Sequence, residues 1–434
     1  MQPEPLVRLP DGTAVQVSPL TGTVVWSVPR RGHRPIATPQ VGRRAVEPDG
    51  PVDRCEFCPD RYLETTPEKS RLVRDAAGWS LRSGLTAAEV VASAAEFRRF
   101  ANLFEILTVD HWRRNHGFVL PPTVVARAAR YAADPLGRAH TLAVLRRRAA
   151  AEGVGDGAWD ALTEAEQLAG APDLFAGTHD VVVARRHLVD GAQHDDELAG
   201  SGTLTTLEHV GFVAFTIEAL RSLYAEQPHA CYVAAFQNWL RPAGASFDHL
   251  HKQLVAVDEH GPLLDGLLGR LREDPDLVTT AVLDHAAEHR LVVAENDHAV
   301  AVVGIGHRRP SLVVWATGPP RLPWEHGEHE VQAVSDLLHA LHAVTGVHVP
   351  TNEVWFHRPP GAAEALPWHV VLTRRDTNLA GFEAGTEIHV TAVDPAVMRD
   401  DVVGGLLRLR EAGAIAPMRV GDECSHRLGT LRAR

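Results

Sequence analysis

Residues 238–253 read Asn-Trp-Leu-Arg-Pro-Ala-Gly-Ala-Ser-Phe-Asp-His-Leu-His-Lys-Gln, and no other stretch constrains the chain so tightly. Pro242 and Gly244 mark a turn. The alternation that follows, through Leu254, predicts a β-strand. Residues two apart share a strand face, so His249, His251 and Gln253 are expected to project together, with Leu250, Lys252 and Leu254 behind them. With 25 histidines in 434 residues, about one His-x-His pair is expected by chance, so the pair alone means little. The signal is the longer string: an Asn, a Gly-Ala-Ser turn, then His-x-His-x-Gln on one face.

A second candidate cluster is Cys55-Glu-Phe-Cys58-Pro. Cys-x-x-Cys fits half a zinc site, a redox pair or two buried thiols. A redox pair would open a helix after a strand, a context that Pro59 and Asp60 do not clearly supply. A zinc site needs two further ligands from elsewhere in the chain. Arg30, Arg31 and Arg34 form a basic loop, suited either to solvent or to clamping phosphate oxygens. Four cysteines in so long a chain make no disulfide framework and point to a reducing, cytoplasmic setting. The start shows no signal peptide, no run of about 18 apolar residues suggests a membrane span, and the net charge of −12 argues against wholesale nucleic-acid binding.

In order along the chain, residues 13–36 read as strand, turn, strand. Residues 84–170 are Ala-rich with helical spacing, about four helices, at 86–103, 123–133, 136–151 and 159–169, in which no chemistry is evident. In residues 179–189 the apolar run reads as a buried strand, with His187 just past its end. An amphipathic helix covers 204–226, and a strand from 230 leads into the central string. Helices and strands recur after residue 260: helices at 262–272 and 331–345, and strands at 290–295, 299–303, 312–316, 352–357 and 369–373. This reads as a duplicated α+β unit, with halves 1–260 and 261–434 and a helical insertion in the first.

The central string resembles the active-site segment of galactose-1-phosphate uridylyltransferases, within the histidine-triad superfamily. Asn238, Ser246, His249, His251 and Gln253 keep its spacing; Leu250 stands where that family usually has Pro. Ser-Pro-Leu-Thr-Gly at 18–22 and the following hairpin resemble the family's opening, which puts Arg31 and Arg34 on its two arginines, with Ser18, Arg30 and His33 departing from its pattern. Cys55-x-x-Cys58-Pro resembles its zinc half-site. His187 matches the third ligand and His249 the fourth. His111, nearer Cys58 in sequence, is the competing third ligand; a strand end holds a ligand more rigidly, which favours His187. Residues 380–386 resemble the string whose Glu touches sugar hydroxyls, giving Glu383. Pro367-Trp368-His369 stands where some members bind a second metal; Pro367 removes one ligand, so the resemblance does not carry that metal across. It covers residues 13–395 apart from the helical block.

The resemblance implies an α+β fold of two histidine-triad-like halves, with antiparallel sheets, flanking helices and a helical insertion. It implies a uridylyltransferase-like nucleotidyltransferase of galactose metabolism that uses a nucleoside-diphosphate sugar and a sugar phosphate, with one structural zinc and a homodimeric assembly. In such an enzyme His251 attacks the α-phosphorus and a second phosphate reverses the step. Gln253 can hold a phosphate oxygen but cannot pass protons to water, which favours transfer over hydrolysis. The alternatives are a dinucleoside-polyphosphate phosphorylase or adenylyltransferase, and a zinc-stabilised nucleotide-binding protein without turnover.

Overall fold

The computed structural model describes residues 4–28, 44–46, 55–76, 78–375 and 381–425. Sixteen strands are described: β1 (Leu6–Arg8), β2 (Ala14–Val17), β3 (Val24–Ser27), β4 (Glu68–Asp75), β5 (Gly78–Ser83), β6 (Phe97–Ala101), β7 (His179–Ala184), β8 (Tyr232–Trp239), β9 (His251–Val257), β10 (Val292–Glu295), β11 (Ala299–Val303), β12 (Ser311–Ala316), β13 (Thr351–Phe356), β14 (His369–Arg374), β15 (Ile388–Thr391) and β16 (Arg419–Val420). Twelve form one sheet in the order β16-β10-β11-β12-β14-β13-β8-β9-β7-β6-β4-β5. The other four form a small sheet, β1-β2-β3-β15.

The large sheet is antiparallel throughout and repeats about its middle. β8 and β13 pair at the seam, with Asn238 opposite Asn352. Outward from there β9 answers β14, β7 answers β12 and β6 answers β11. His251 and His369 are the first residues of the two equivalent strands β9 and β14. The fold is thus α+β, two like halves fused edge to edge into one sheet.

The helices Thr206–Glu226 and Glu328–Thr345 pack together on one face of this sheet. The first is started by a capping box: Thr205 Oγ1 accepts from Glu208 N–H, and Glu208 returns a bond to Thr205 N–H. Lys252 points to this face and is fully buried, paired with Glu353 of β13. Glu353 also accepts from His342 Nε2 at 2.7 Å, and Gln237 Oε1 lies 3.1 Å from Lys252 Nζ. Charge removed from water must be matched within the protein, and here the match bridges the two halves across β8.

Two expectations change. Residues 86–103, read as a helix, form a short helix, Ala87–Ala92, and then β6, which lies between β4 and β7 in the sheet. Neighbouring strands enforce this conformation over an Ala-rich helical pattern, an override common for β structure. The helical layer proper follows, including Pro122–Ala133 and Pro135–Ala151. The N-terminal strands do not join the first half's sheet. β3 runs parallel to β15, and Arg8 bonds Asp394, so the start of the chain lies against the second half.

Candidate active site and metal centre

Cys55 and Cys58 are brought together by a tight turn, in which Cys55 O accepts from Cys58 N–H at 3.1 Å. Pro59 then starts the helical turn Pro59–Glu64. Their sulfurs lie 4.0 Å apart. His187 Nδ1 is 3.7 and 3.6 Å from them, and His249 Nδ1 3.4 and 3.8 Å. A tetrahedral zinc with ordinary bond lengths has S···S edges of about 3.8 Å and S···N edges of about 3.5 Å, so the four donors fit one ion. His249 Nε2 donates to Ala184 O at 2.7 Å, which turns the Nδ1 lone pair toward the sulfurs. His111 belongs to a different group, its Nε2 and that of His116 lying 3.0 and 2.8 Å from one oxygen of Asp258.

His251 opens β9, and His249 lies two residues before it. The backbone between them links the two rings directly: His251 Nδ1–H donates to His249 O at 2.7 Å. That bond fixes the tautomer and leaves Nε2 with the lone pair. Nε2 has no hydrogen-bond partner among the described residues, and His251 lines a cavity of about 540 Å³, within the usual size of a small-ligand site. Burial pushes the His251 imidazole down to about 4, against the opposing bond to His249 O, so the ring is neutral near pH 7. Phe57, between the two cysteines, sets its ring edge-on to both His249 and His251.

Gln253 and Asn238 line the same cavity, each with its amide oxygen engaged. Gln253 Oε1 faces His179 Nε2 at 2.9 Å. Asn238 Oδ1 accepts from Asn352 Nδ2 at 2.7 Å. With their oxygens held, both amides turn NH₂ groups to the cavity. Ser246 lies on its wall in an exposed loop. That loop leaves β8 through Leu240, at φ 66° and ψ 155°. A non-glycine residue held there costs about 1–3 kcal/mol, and such strain gathers at functional sites.

The remaining expected residues fall elsewhere. Arg31 and Arg34 lie outside the described residues. Glu383 sits on the short helix Gly381–Thr386 beside β15, and it does not line the His251 cavity. β15 pairs with β3 in the small sheet, apart from the large sheet that carries His251. His357, in the second half, has both ring nitrogens facing tyrosines: Tyr224 OH at 3.0 Å and Tyr232 OH at 3.3 Å. Among the described residues it belongs to no metal-ligand group.

Some site residues were not singled out in the sequence. His179 opens a strand that reads as purely structural. Phe100 and Asn102 fall in the stretch taken for a helix, and Arg147 in the block where no chemistry was evident, yet all three line the cavity. Arg147 reaches in from the helix Pro135–Ala151 and pairs with Glu56 at 2.8 Å. The aromatic residues Phe97, Phe100 and Phe104 were the available signal for the strand; nothing local marked Arg147.

An ADP-glucose phosphorylase from Arabidopsis thaliana is 22% identical over 233 residues, half of this chain and 62% of that protein, so the match spans less than two thirds of its length. The crystal structure of an ADP-glucose phosphorylase from Arabidopsis thaliana with bound ADP-glucose superimposes with a TM-score of 0.57 at 16% identity, over 89% of this chain and 97% of that one. The X-ray structure of a galt-like protein from Arabidopsis thaliana gives 0.56 at 16% identity, with the same coverage of 89% and 97%. The fold is therefore that of the galt-like proteins. Residues 9–433 match the family described as a domain of unknown function, DUF4921, and the chain belongs to that family.

Proposed function

We propose that the protein is a nucleotidyltransferase working through His251. Its donor is a nucleoside-diphosphate sugar. His251 Nε2 bonds to the α-phosphorus as the bond to the bridging oxygen breaks, and the sugar 1-phosphate leaves with that oxygen. A phosphate-bearing acceptor then attacks the same phosphorus and frees the imidazole. The NH₂ groups of Gln253 and Asn238 offer donors to the phosphate oxygens as charge develops. The observation that carries this reading is the tautomer lock: His251 Nδ1–H is held by His249 O, with Nε2 turned to the cavity.

Cys55, Cys58, His187 and His249 would hold a zinc ion. Four protein ligands make a closed site, whose contribution is to fix the turn before β9 and so aim His251.

Two acceptors distinguish two activities. A hexose 1-phosphate makes the protein a uridylyltransferase-like enzyme, and inorganic phosphate makes it a phosphorylase. The likeness to an ADP-glucose phosphorylase favours the second as the reading to try first. Incubation with UDP-glucose or ADP-glucose labelled at the α-phosphate should give an acid-labile, base-stable adduct, absent in His251→Ala. Labelling that survives this substitution rules the mechanism out. Chasing the adduct with inorganic phosphate or with a hexose 1-phosphate identifies the acceptor.

A further inference from the structure

The sheet face that carries His251 continues across the seam into the second half, where it holds another cavity of about 520 Å³. Phe236 and Asn238 stand on the ridge between the two cavities and line both. The equivalent of His251 lies in the second one. His369 opens β14 as His251 opens β9, and it makes the same bond, with Nδ1 2.9 Å from the carbonyl of the residue two before it, Pro367. Trp315 and Phe356 stack on its ring, with centroids at 3.9 and 5.0 Å. The imidazole is therefore fixed in position and tautomer, with an Nε2 that can only accept a hydrogen bond.

Its surroundings differ from those of His251 in charge. Arg308, Arg309 and Arg375 line this cavity, and no Asp or Glu does among the described residues. In a chain of net charge −12, three guanidinium groups around one cavity form a local reversal of sign, which attracts and holds anions. Arg375 Nε is buried with no hydrogen-bond partner among the described residues, a cost that a bound acceptor would relieve. The hydroxyl groups of Ser311 and Thr373, themselves 2.8 Å apart, supply further polar wall.

We infer that the second half binds a phosphorylated small molecule bearing hydroxyl groups, a sugar phosphate or a nucleotide, in this cavity: the arginines take the phosphate and His369 Nε2 takes a hydroxyl. The site binds without transferring. Val371 stands where the first half has Gln253, and Pro367 where it has His249. Among the described residues no metal-ligand group supports His369. The inference does not depend on the chemistry assigned to His251.

Calorimetric titration of the full chain with ADP, and separately with glucose 1-phosphate, tests it. At least one of these ligands should bind in two events per chain. Arg308→Gln, at an exposed position, should weaken one event about tenfold or more, as expected for a lost charge-assisted bond, and spare the other. Arg308→Gln/Arg309→Gln should abolish that event while adduct formation at His251 persists, and melting curves confirm that both variants are folded. If neither ligand binds, or every event seen survives the double substitution, the inference is overturned; a single event that the double substitution removes still supports it. Two events of which the arginine variant loses one, with no adduct at His251, would leave this site standing and remove the proposed transfer reaction.

Discussion

The Nε2 of His179 lies 2.9 Å from the amide oxygen of Gln253. Ile106 N–H bonds the other ring nitrogen, Nδ1, at 3.3 Å, so the ring proton sits on Nε2 and is donated to Gln253. Burial lowers the His179 pKa, against the bond to Gln253, which keeps the ring neutral. A neutral ring in this tautomer makes Gln253 present its NH₂ group, and not its oxygen, to the cavity.

His179→Ala should therefore slow adduct formation about tenfold to a hundredfold, somewhat less than loss of an anion-stabilising donor itself. The effect should fall on kcat more than on KM, because the amide is misaimed while the cavity remains. His179→Gln, which keeps a donor for Gln253 Oε1, should recover part of the rate. Single-turnover labelling of the variants measures this, and equal rates in wild type and His179→Ala would refute the positioning role.

The four-donor group gives a metal prediction. Purified protein should contain about one zinc per chain, and Cys55→Ser should lose it. Because a closed structural site contributes folding energy, that variant or a chelated wild type should melt at least about 5 °C lower. Elemental analysis with thermal melting reads both effects. Substitution of His111, which sits with Asp258 instead, should leave zinc content unchanged.

The buried pair of Lys252 and Glu353 predicts an asymmetry between single and double substitutions. Burial would push the Glu353 carboxyl up, but Lys252 and His342 outweigh it and hold the group well below the usual carboxylate range. Lys252→Met strands that charge and should cost about 3–5 kcal/mol, whereas Lys252→Met/Glu353→Leu should cost much less. Melting temperatures of the two singles and the double, compared as a cycle, test the coupling; additive effects would show that the pair does not join the halves energetically.

Glu105 predicts a pH dependence. Burial pushes its carboxyl up to about 7, opposed by the bond from Thr178 N–H. The unfolded value is about 4.3, so the folded state binds the proton more tightly. The associated stability is complete below the unfolded value and is lost as pH rises through about 7. Glu105→Gln mimics the protonated form. It should be about 1–2 kcal/mol more stable than wild type at pH 8, a figure reduced for partial exposure of the group, and indistinguishable from it near pH 4.5. Melting curves across that range decide it.

The sequence determined the strands and helices with strong periodicity, and it carried the spacing of Asn238, Ser246, His249, His251 and Gln253. A period of two requires His251 and Lys252 to face opposite ways, and they do: one lines a cavity and the other lies buried under the helices. Local pattern also hinted at the repeat of helix and strand. Contacts between residues far apart in the chain were decided only by the tertiary structure. It set His187, and not His111, beside the cysteines, bonded His179 to Gln253 across 74 positions, and made residues 97–101 a strand because partners stood on both sides. It also put three arginines around His369, although Arg375 is 66 positions from Arg309. Periodicity is written in neighbouring residues, but a site depends on which strand edges meet, and that is fixed by the burial of the whole sheet.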